Sequence, residues 1–276
     1  MSAASRIAFI GGGNMARSLI GGLIADGYDP GFIWVAEPDA ERRGQLAAQF
    51  QVNTTGDNTE AAGQAEAVVL AVKPQMVKTV CEPLGPVLRE HAGLAISIAA
   101  GVRETDISRW LGGDVAVVRT MPNTPSLVRA GATALYANQH VTEEQRALAE
   151  SLLRAVGLTQ WLEDESLMDA VTAISGSGPA YFFLVMEMLE ESGAGLGLPR
   201  ETARLLALET ALGAAKMALE SDEDPQSLRH RVTSPGGTTE QAINTLEDGG
   251  VRELMDRAVK AAAARAAELG KMLGEQ

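Results

Sequence analysis

Short apolar runs recur through the first half of the chain, at residues 6–10, 32–36, 67–72, 94–98 and 115–119. They are β-branched and apolar throughout, with little alternation of polar positions. Such runs predict strands covered on both faces, as in a parallel sheet sandwiched by helices. Between the early runs, residues 15–26 and 39–49 repeat at helical spacing. Residues 133–136 and 158–161 add two late strands. Thr142 followed by Gln145 is a capping-box pattern, and it opens a helix over residues 143–156.

From about residue 164 the strand pattern stops. Helical segments follow at 167–175, 179–192, 199–219, 225–232, 238–247 and 251–273, separated by breaks rich in Gly and Pro. The boundary is therefore expected near residue 163, between an α/β Rossmann-type domain at 1–163 and an all-helical domain at 164–276. The segment 205–219 is apolar or small nearly all round. A helix of that kind is buried on every side, most easily by pairing with a copy of itself, so the second domain is expected to make a homodimer. Met186 and Met188, beside Phe182, Phe183 and Leu189, read as core.

Charge narrows the partners. A net charge of −13 argues against nucleic acid, which needs a basic footprint, and against anionic membranes. An anionic cofactor stays possible, because backbone N–H groups bind phosphate without side-chain charge. The single cysteine, Cys81, excludes a disulfide within the chain and suits a reducing, cytoplasmic compartment. His91, His140 and His230 are far apart, so no metal is expected. The N-terminus has no signal-peptide layout. The uncharged run 170–186 is short for a membrane span and reads as a buried helix with a special turn at its GSGP.

The stretch 11–16, GGGNMA, follows the first strand and opens a helix, in a Gly-x-Gly-x-x-Ala pattern. Gly11 makes the tight turn, Gly13 lets backbone approach a pyrophosphate, and Ala16 lets the helix pack on the strand. Ile10, Gly11, Gly12, Gly13, Asn14 and Met15 are thus candidates for binding a dinucleotide. Glu37 ends the second strand, where an acidic residue reads the ribose of NAD and repels the 2′-phosphate of NADP. Arg42 and Arg43 follow closely and could serve that phosphate, leaving NADPH or NADH open. Ligands in open parallel sheets bind at the carboxyl ends of strands. That adds Ala71, Val72, Lys73 and Pro74 after the third predicted strand, Ala99, Ala100 and Gly101 after the fourth, and Asn123 after the fifth. Asn58 is placed in a loop able to reach the adenosine side.

Strand-GGGNMA, AVKP, SIAAG, MPNTP, SGSGPAY and SPGGTTE occur in this order over nearly the whole chain. Together they resemble the pyrroline-5-carboxylate reductase family, which makes proline from 1-pyrroline-5-carboxylate with NAD(P)H. The pairing of SGSGPAY with SPGGTT is the specific part; GGGNMA alone is shared by many dinucleotide enzymes. The resemblance implies a Rossmann domain, a helical dimerisation domain, and in some relatives rings of dimers. It implies nicotinamide near the MPNTP and AVKP turns and substrate at the SPGGTT turn. The family threonine proposed to hydrogen-bond the ring nitrogen falls on Thr239, while Thr238 is a position where relatives can lack a hydroxyl. Many relatives carry a small hydroxyl residue where this chain has Glu37.

The chemistry agrees with a site that has no histidine acid. An imine is far more basic than a ketone and can arrive protonated, so the main task is positioning, worth about 7–11 kcal/mol. The substrate carboxylate is expected at Ser234, Gly236, Gly237 and Thr238, where bare backbone meets a helix N-terminus, with Thr239 facing the ring nitrogen. Ser175 and Ser177, at a helix break, are expected to close the pocket. Two other readings compete. A β-hydroxyacid dehydrogenase would use a lysine early in the second domain, yet Lys216 is the only lysine between residues 164 and 250. A non-catalytic dinucleotide sensor would not need SPGGTTE.

Overall fold

The computed structural model describes residues 5–275. Its chain divides into two compact units, one running to Ser177 and taking back the residues from Ala262 onward, the other spanning Gly178–Ala261.

In the first unit β1 (Ile7–Ile10) leads through α1 (Asn14–Ala25) to β2 (Ile33–Ala36), then through α2 (Ala40–Phe50) to β3 (Asn53–Thr55). The chain returns by α3 (Asn58–Gly63) to β4 (Ala67–Leu70), α4 (Val77–Glu90), β5 (Leu94–Ser97), α5 (Glu104–Trp110), β6 (Ala116–Met121), β7 (Gly131–Ala137), α6 (Glu143–Arg154) and β8 (Gly157–Trp161). The eight strands lie in the order β3-β2-β1-β4-β5-β6-β7-β8. All neighbours are parallel except β6 and β7, an antiparallel pair. The order reverses between β1 and β4, which is the position where ligands enter such sheets.

The apolar runs work because a strand has a side-chain period of two. Ile7 and Phe9 of β1, with Ala67 and Val69 of β4 and Leu94 and Ile96 of β5, face one core closed by Leu19, Ile20 and Leu23 of α1 and Leu152 and Leu153 of α6. Ala8 and Ile10, with Val68, Leu70 and Ala95, face a second core closed by Val77, Cys81, Leu84 and Leu88 of α4. The sheet is covered on both sides, as a doubly wound fold requires.

Three expectations are corrected. β3 was not foreseen: its residues Asn53, Thr54 and Thr55 are polar and half-buried on the sheet edge, where no hydrophobic pattern is needed. Asn58 is not in a loop but opens α3, with Asp57 as its N-cap. The strands end at Trp161, yet the first unit continues to Ser177. Residues after 163 pack back on the sheet: Met168 joins Met121 and Ala134 in a small third cluster, and Arg119 donates to Glu165 at 2.7 Å. In this stretch α7 (Met168–Val171) runs into a π-helical turn, Thr172–Gly176, just before Ser177 and Gly178.

The second unit holds α8 (Gly178–Gly195), α9 (Arg200–Glu220), α10 (Pro225–Arg231), α11 (Thr238–Asp248) and the first part of α12 (Val251–Gly274). α8 and α9 pack together, with Gly193 close against Ala203. The apolar helix faces are not core within one chain. Phe182 is 67% exposed and Leu205 60%, and Phe183, Met188, Leu189 and Leu212 are exposed too. Large apolar side chains exposed together along two packed helices mark an interaction surface. The last turns of α12 belong to the first unit, where Leu273 enters the second core and Arg109 Nη2 donates to the Gly274 carbonyl at 2.8 Å. Among the described residues no helix is long and apolar enough to cross a membrane, and no group of acidic, histidine or cysteine side chains could hold a metal.

Candidate functional site

Pairing register brings the predicted tips to one edge. Ile10 lies beside Ala36 and Leu70, and Leu70 beside Ser97. The turns that follow those strands therefore sit side by side: 11–16, Glu37, 71–74 and 98–101. Gly11 has φ +102, and a Cβ there would lie 2.7 Å from the Ala71 carbonyl. Only glycine fits between β1 and β4 at this point. Gly12 is closed in by Leu46, whose Cδ1 would be 2.5 Å from an added Cβ. Gly13 faces open space, with nothing within 4 Å. It is also the N-cap of α1, whose first turn has neither a side-chain cap nor an acidic residue. Asn14 and Met15 begin that helix. Uncapped N–H groups at an open helix start with no acidic residue in its first turn suit an anionic pyrophosphate.

Glu37 is buried, 6% exposed, and its carboxylate turns back to the glycine turn. Gly12 N–H donates to Oε2 at 3.0 Å, and Asp39 N–H donates to Oε1 at 3.2 Å. Arg43 gives one nitrogen, Nη1, to two backbone carbonyls, of Glu37 at 2.7 Å and of Pro38 at 2.8 Å. Arg42 is exposed. Nearby, the Thr59 hydroxyl and then the N–H groups of Glu60 and Thr59 hold the Asp57 carboxyl below its usual range, at the start of the helix that carries Asn58.

The remaining tips are placed more unevenly. Val72 is half-buried, Lys73 is exposed, and Pro74 opens a 3-10 turn for which the extended Lys73 is the N-cap. Ala99 is packed into the second core, so only its backbone can meet a ligand; Ala100 is exposed. Gly101, φ +79, backs onto Leu273 and Gly270 of α12. Asn123 is bound within the fold at both polar atoms: Nδ2 donates to the Ser175 carbonyl at 3.0 Å, and Oδ1 accepts from Ala132 N–H at 2.9 Å. The amide expected to meet cofactor thus ties the 3-10 segment after β6 to the π turn. Ser175 sits in that turn with its hydroxyl on the Val171 carbonyl, and Ser177 N–H bonds to the Thr172 carbonyl at 2.8 Å. π turns concentrate at functional sites.

In the second unit, Ser234, Gly236, Gly237, Thr238 and Thr239 form one tight turn into α11. Gly236 has φ +73, and Gly237 is the N-cap, bonding the Ser234 carbonyl at 3.0 Å. Thr238 is exposed and Thr239 half-buried. The backbone is less bare than expected, because Gly236 N–H already donates to Glu240 Oε2 at 2.7 Å. Glu240 stands at the third helical position, but the N-cap is Gly237 and the bonded N–H is that of Gly236, so this is not a capping box and the capping-box pattern does not point to it. The Tyr181 hydroxyl of SGSGPAY is a second group not singled out from sequence: it is buried with no hydrogen-bond partner, which is rare for a phenol unless a ligand or water completes it.

The comparisons with known proteins match both halves of the chain. Residues 165–269 match the pyrroline-5-carboxylate reductase dimerisation family, and residues 6–101 match the family described as NADP oxidoreductase coenzyme F420-dependent. The pyrroline-5-carboxylate reductase of Pseudomonas aeruginosa is 52% identical over 270 residues, covering 98% of each chain. That of Vibrio alginolyticus is 44% identical, over 97% of this chain and 98% of its own. Among solved structures, a pyrroline-5-carboxylate reductase from Coxiella burnetii superposes with a TM-score of 0.94 at 52% identity, over 97% of this chain and 99% of that one. The Plasmodium falciparum pyrroline carboxylate reductase with NADP bound gives 0.84 at 29% identity, over 96% and 98%. With both halves matched in one continuous chain, this protein belongs to the pyrroline-5-carboxylate reductase family.

Proposed function

We propose that this chain reduces the C=N bond of 1-pyrroline-5-carboxylate to L-proline with NAD(P)H, the last step of proline biosynthesis. The observation that carries the reading is identity of 52% along 98% of the chain to a reductase of that name, covering the dinucleotide half and the helical half alike. The dihydronicotinamide, when bound, supplies the hydride. The protein holds and orients. The N–H groups at the start of α1 take the pyrophosphate over the open face of Gly13. Ile10, Ala71, Val72, Lys73, Pro74, Ala99, Ala100 and Gly101 offer backbone along the strand tips, and Asn123 fixes the π turn that carries Ser175.

At the second turn, Ser234 and Thr238 offer hydroxyl donors for the substrate carboxylate at the positive end of α11, Gly236 adds its N–H in competition with Glu240, and Gly237 shapes the turn as N-cap. The Thr239 hydroxyl meets the ring nitrogen, where it holds the protonated imine in place. No strong acid is required, because the substrate nitrogen carries its own proton into the site. Positioning of this kind supplies about 7–11 kcal/mol.

The dimerisation family at 165–269 supports an oligomer. We place its contact on the exposed apolar faces of α8 and α9, as a homodimer or a ring of dimers. A cytoplasmic location accords with the one buried thiol, Cys81. The test is product identity: purified protein incubated with 1-pyrroline-5-carboxylate and NAD(P)H should form L-proline, read by chiral chromatography. Cofactor consumption without proline would overturn the substrate assignment.

A further inference from the structure

Glu37 ends β2 with its carboxylate turned back to the glycine turn, and this geometry bears on which dinucleotide the adenosine end accepts. In this fold a carboxylate at that position binds the ribose 2′-hydroxyl, and a nearby arginine serves a 2′-phosphate instead. The sequence offers both kinds of residue, and their geometry separates them.

The carboxylate is buried and pinned from two sides, by Gly12 N–H at 3.0 Å and Asp39 N–H at 3.2 Å. The two amides exposed to the end of β2 are thus filled by an anion of the protein's own. A carboxylate has about four acceptor positions, so two remain for a ribose diol. An arriving phosphate would meet a like charge with little water between them, an arrangement that strongly disfavours the charged pair. The cations do not offset this. Arg43 is anchored on the Glu37 and Pro38 carbonyls and lies over Gly56, where an added Cβ would be 3.3 Å from Nη1. Arg42 lies out in solvent.

We propose that Glu37 makes this enzyme prefer NADH over NADPH, by reading the adenosine ribose diol and excluding a 2′-phosphate. The inference rests on the reductase reading only for the identity of the reaction; the discrimination belongs to the dinucleotide turn and can be measured without turnover. ADP-ribose and 2′-phospho-ADP-ribose differ by the phosphate alone and undergo no reduction. Calorimetric titration of the wild type should show ADP-ribose bound about tenfold or more tighter, as a buried like charge implies. Glu37→Ser should narrow or invert that ratio. Glu37→Gln, which keeps an acceptor for Gly12 and Asp39, should narrow it without loss of thermal stability, and so separates charge from folding. Equal or tighter binding of the phosphorylated compound to wild type, or an unchanged ratio in both folded variants, would overturn the proposal. A correct ratio with no oxidation of NADH or NADPH by 1-pyrroline-5-carboxylate would leave it standing and remove the reductase reading instead.

Discussion

Gly236 N–H donates to Glu240 Oε2 at 2.7 Å, across the first turn of α11. The turn assigned to the substrate carboxylate therefore holds a carboxylate already. A negative charge here interacts well with the helix N-terminus, by ~0.3–1 kcal/mol at the surface, and competes with any second anion. Glu240→Gln keeps an acceptor oxygen and removes the charge. It should lower KM for 1-pyrroline-5-carboxylate about two- to fivefold with kcat little changed, the equivalent of that helix-end energy. The effect should fade in high salt, since half-exposed charges are screened. A KM that stays level or rises at low salt would mean that Glu240 does not share the substrate's donors.

Gly11 and Gly13 carry opposite constraints. An alanine at position 11 would strain a residue at φ +102 and press on the Ala71 carbonyl, so Gly11→Ala should cost about 1–3 kcal/mol of stability. Gly13 has φ −70 and open space around it. Gly13→Ala should melt within about 0.5 kcal/mol of wild type and still bind dinucleotide about tenfold more weakly, as expected when a methyl group intrudes on the pyrophosphate's approach. Thermal melting and fluorescence titration with NADH check the pair. Normal affinity in Gly13→Ala would move the pyrophosphate away from this turn.

Leu205 and Leu212 are 60% and 61% exposed on α9. If these faces join subunits, Leu212→Glu should weaken association by ~2 kcal/mol or more, the scale of an interface hot spot. Sedimentation at micromolar protein should then show a shift toward monomer. An unchanged mass would place the interface elsewhere.

Glu104 gives a pH dependence of known sign. Burial pushes its carboxyl above the usual 4.5, the Asn138 side-chain hydrogen bond opposes this, and the Glu165 charge adds to the rise. A folded value above the unfolded one means that the group's contribution to stability is full below pH 4.5 and is lost as pH rises through the raised folded value. Glu104→Gln removes that loss, so its melting temperature should gain on wild type between pH 4.5 and 7. A difference that stays constant over this range would contradict the assignment.

The parts legible from sequence were those written in local pattern. β1, β4 and β5 are continuous apolar runs because both faces are covered, and the Thr142 capping box forms with both of its bonds. β3 was hidden because an edge strand of Asn and Thr has no hydrophobic signature. The extent of the first unit was hidden because the packing of Met168 and Glu165 onto the sheet is tertiary. The strand β7 was expected, but not its antiparallel direction, because an apolar run reads the same either way. At the site, the glycine turn and Glu37 could be named from spacing. That Glu37 bonds Gly12, that Asn123 is bound at both ends, and that Glu240 reaches Gly236 depend on where side chains turn, which no local pattern states.

The most direct test is the initial rate of cofactor oxidation with 1-pyrroline-5-carboxylate, for wild type and Thr239→Ala, beside the dinucleotide affinity of each. The account predicts turnover by the wild type and a fall of about 10²-fold or more in Thr239→Ala, the scale of losing one positioned hydrogen bond in a reacting site, with NADH affinity unchanged. Binding of NADH by the wild type with no oxidation of it or of NADPH would contradict the account, leaving a dinucleotide-binding protein with a different substrate.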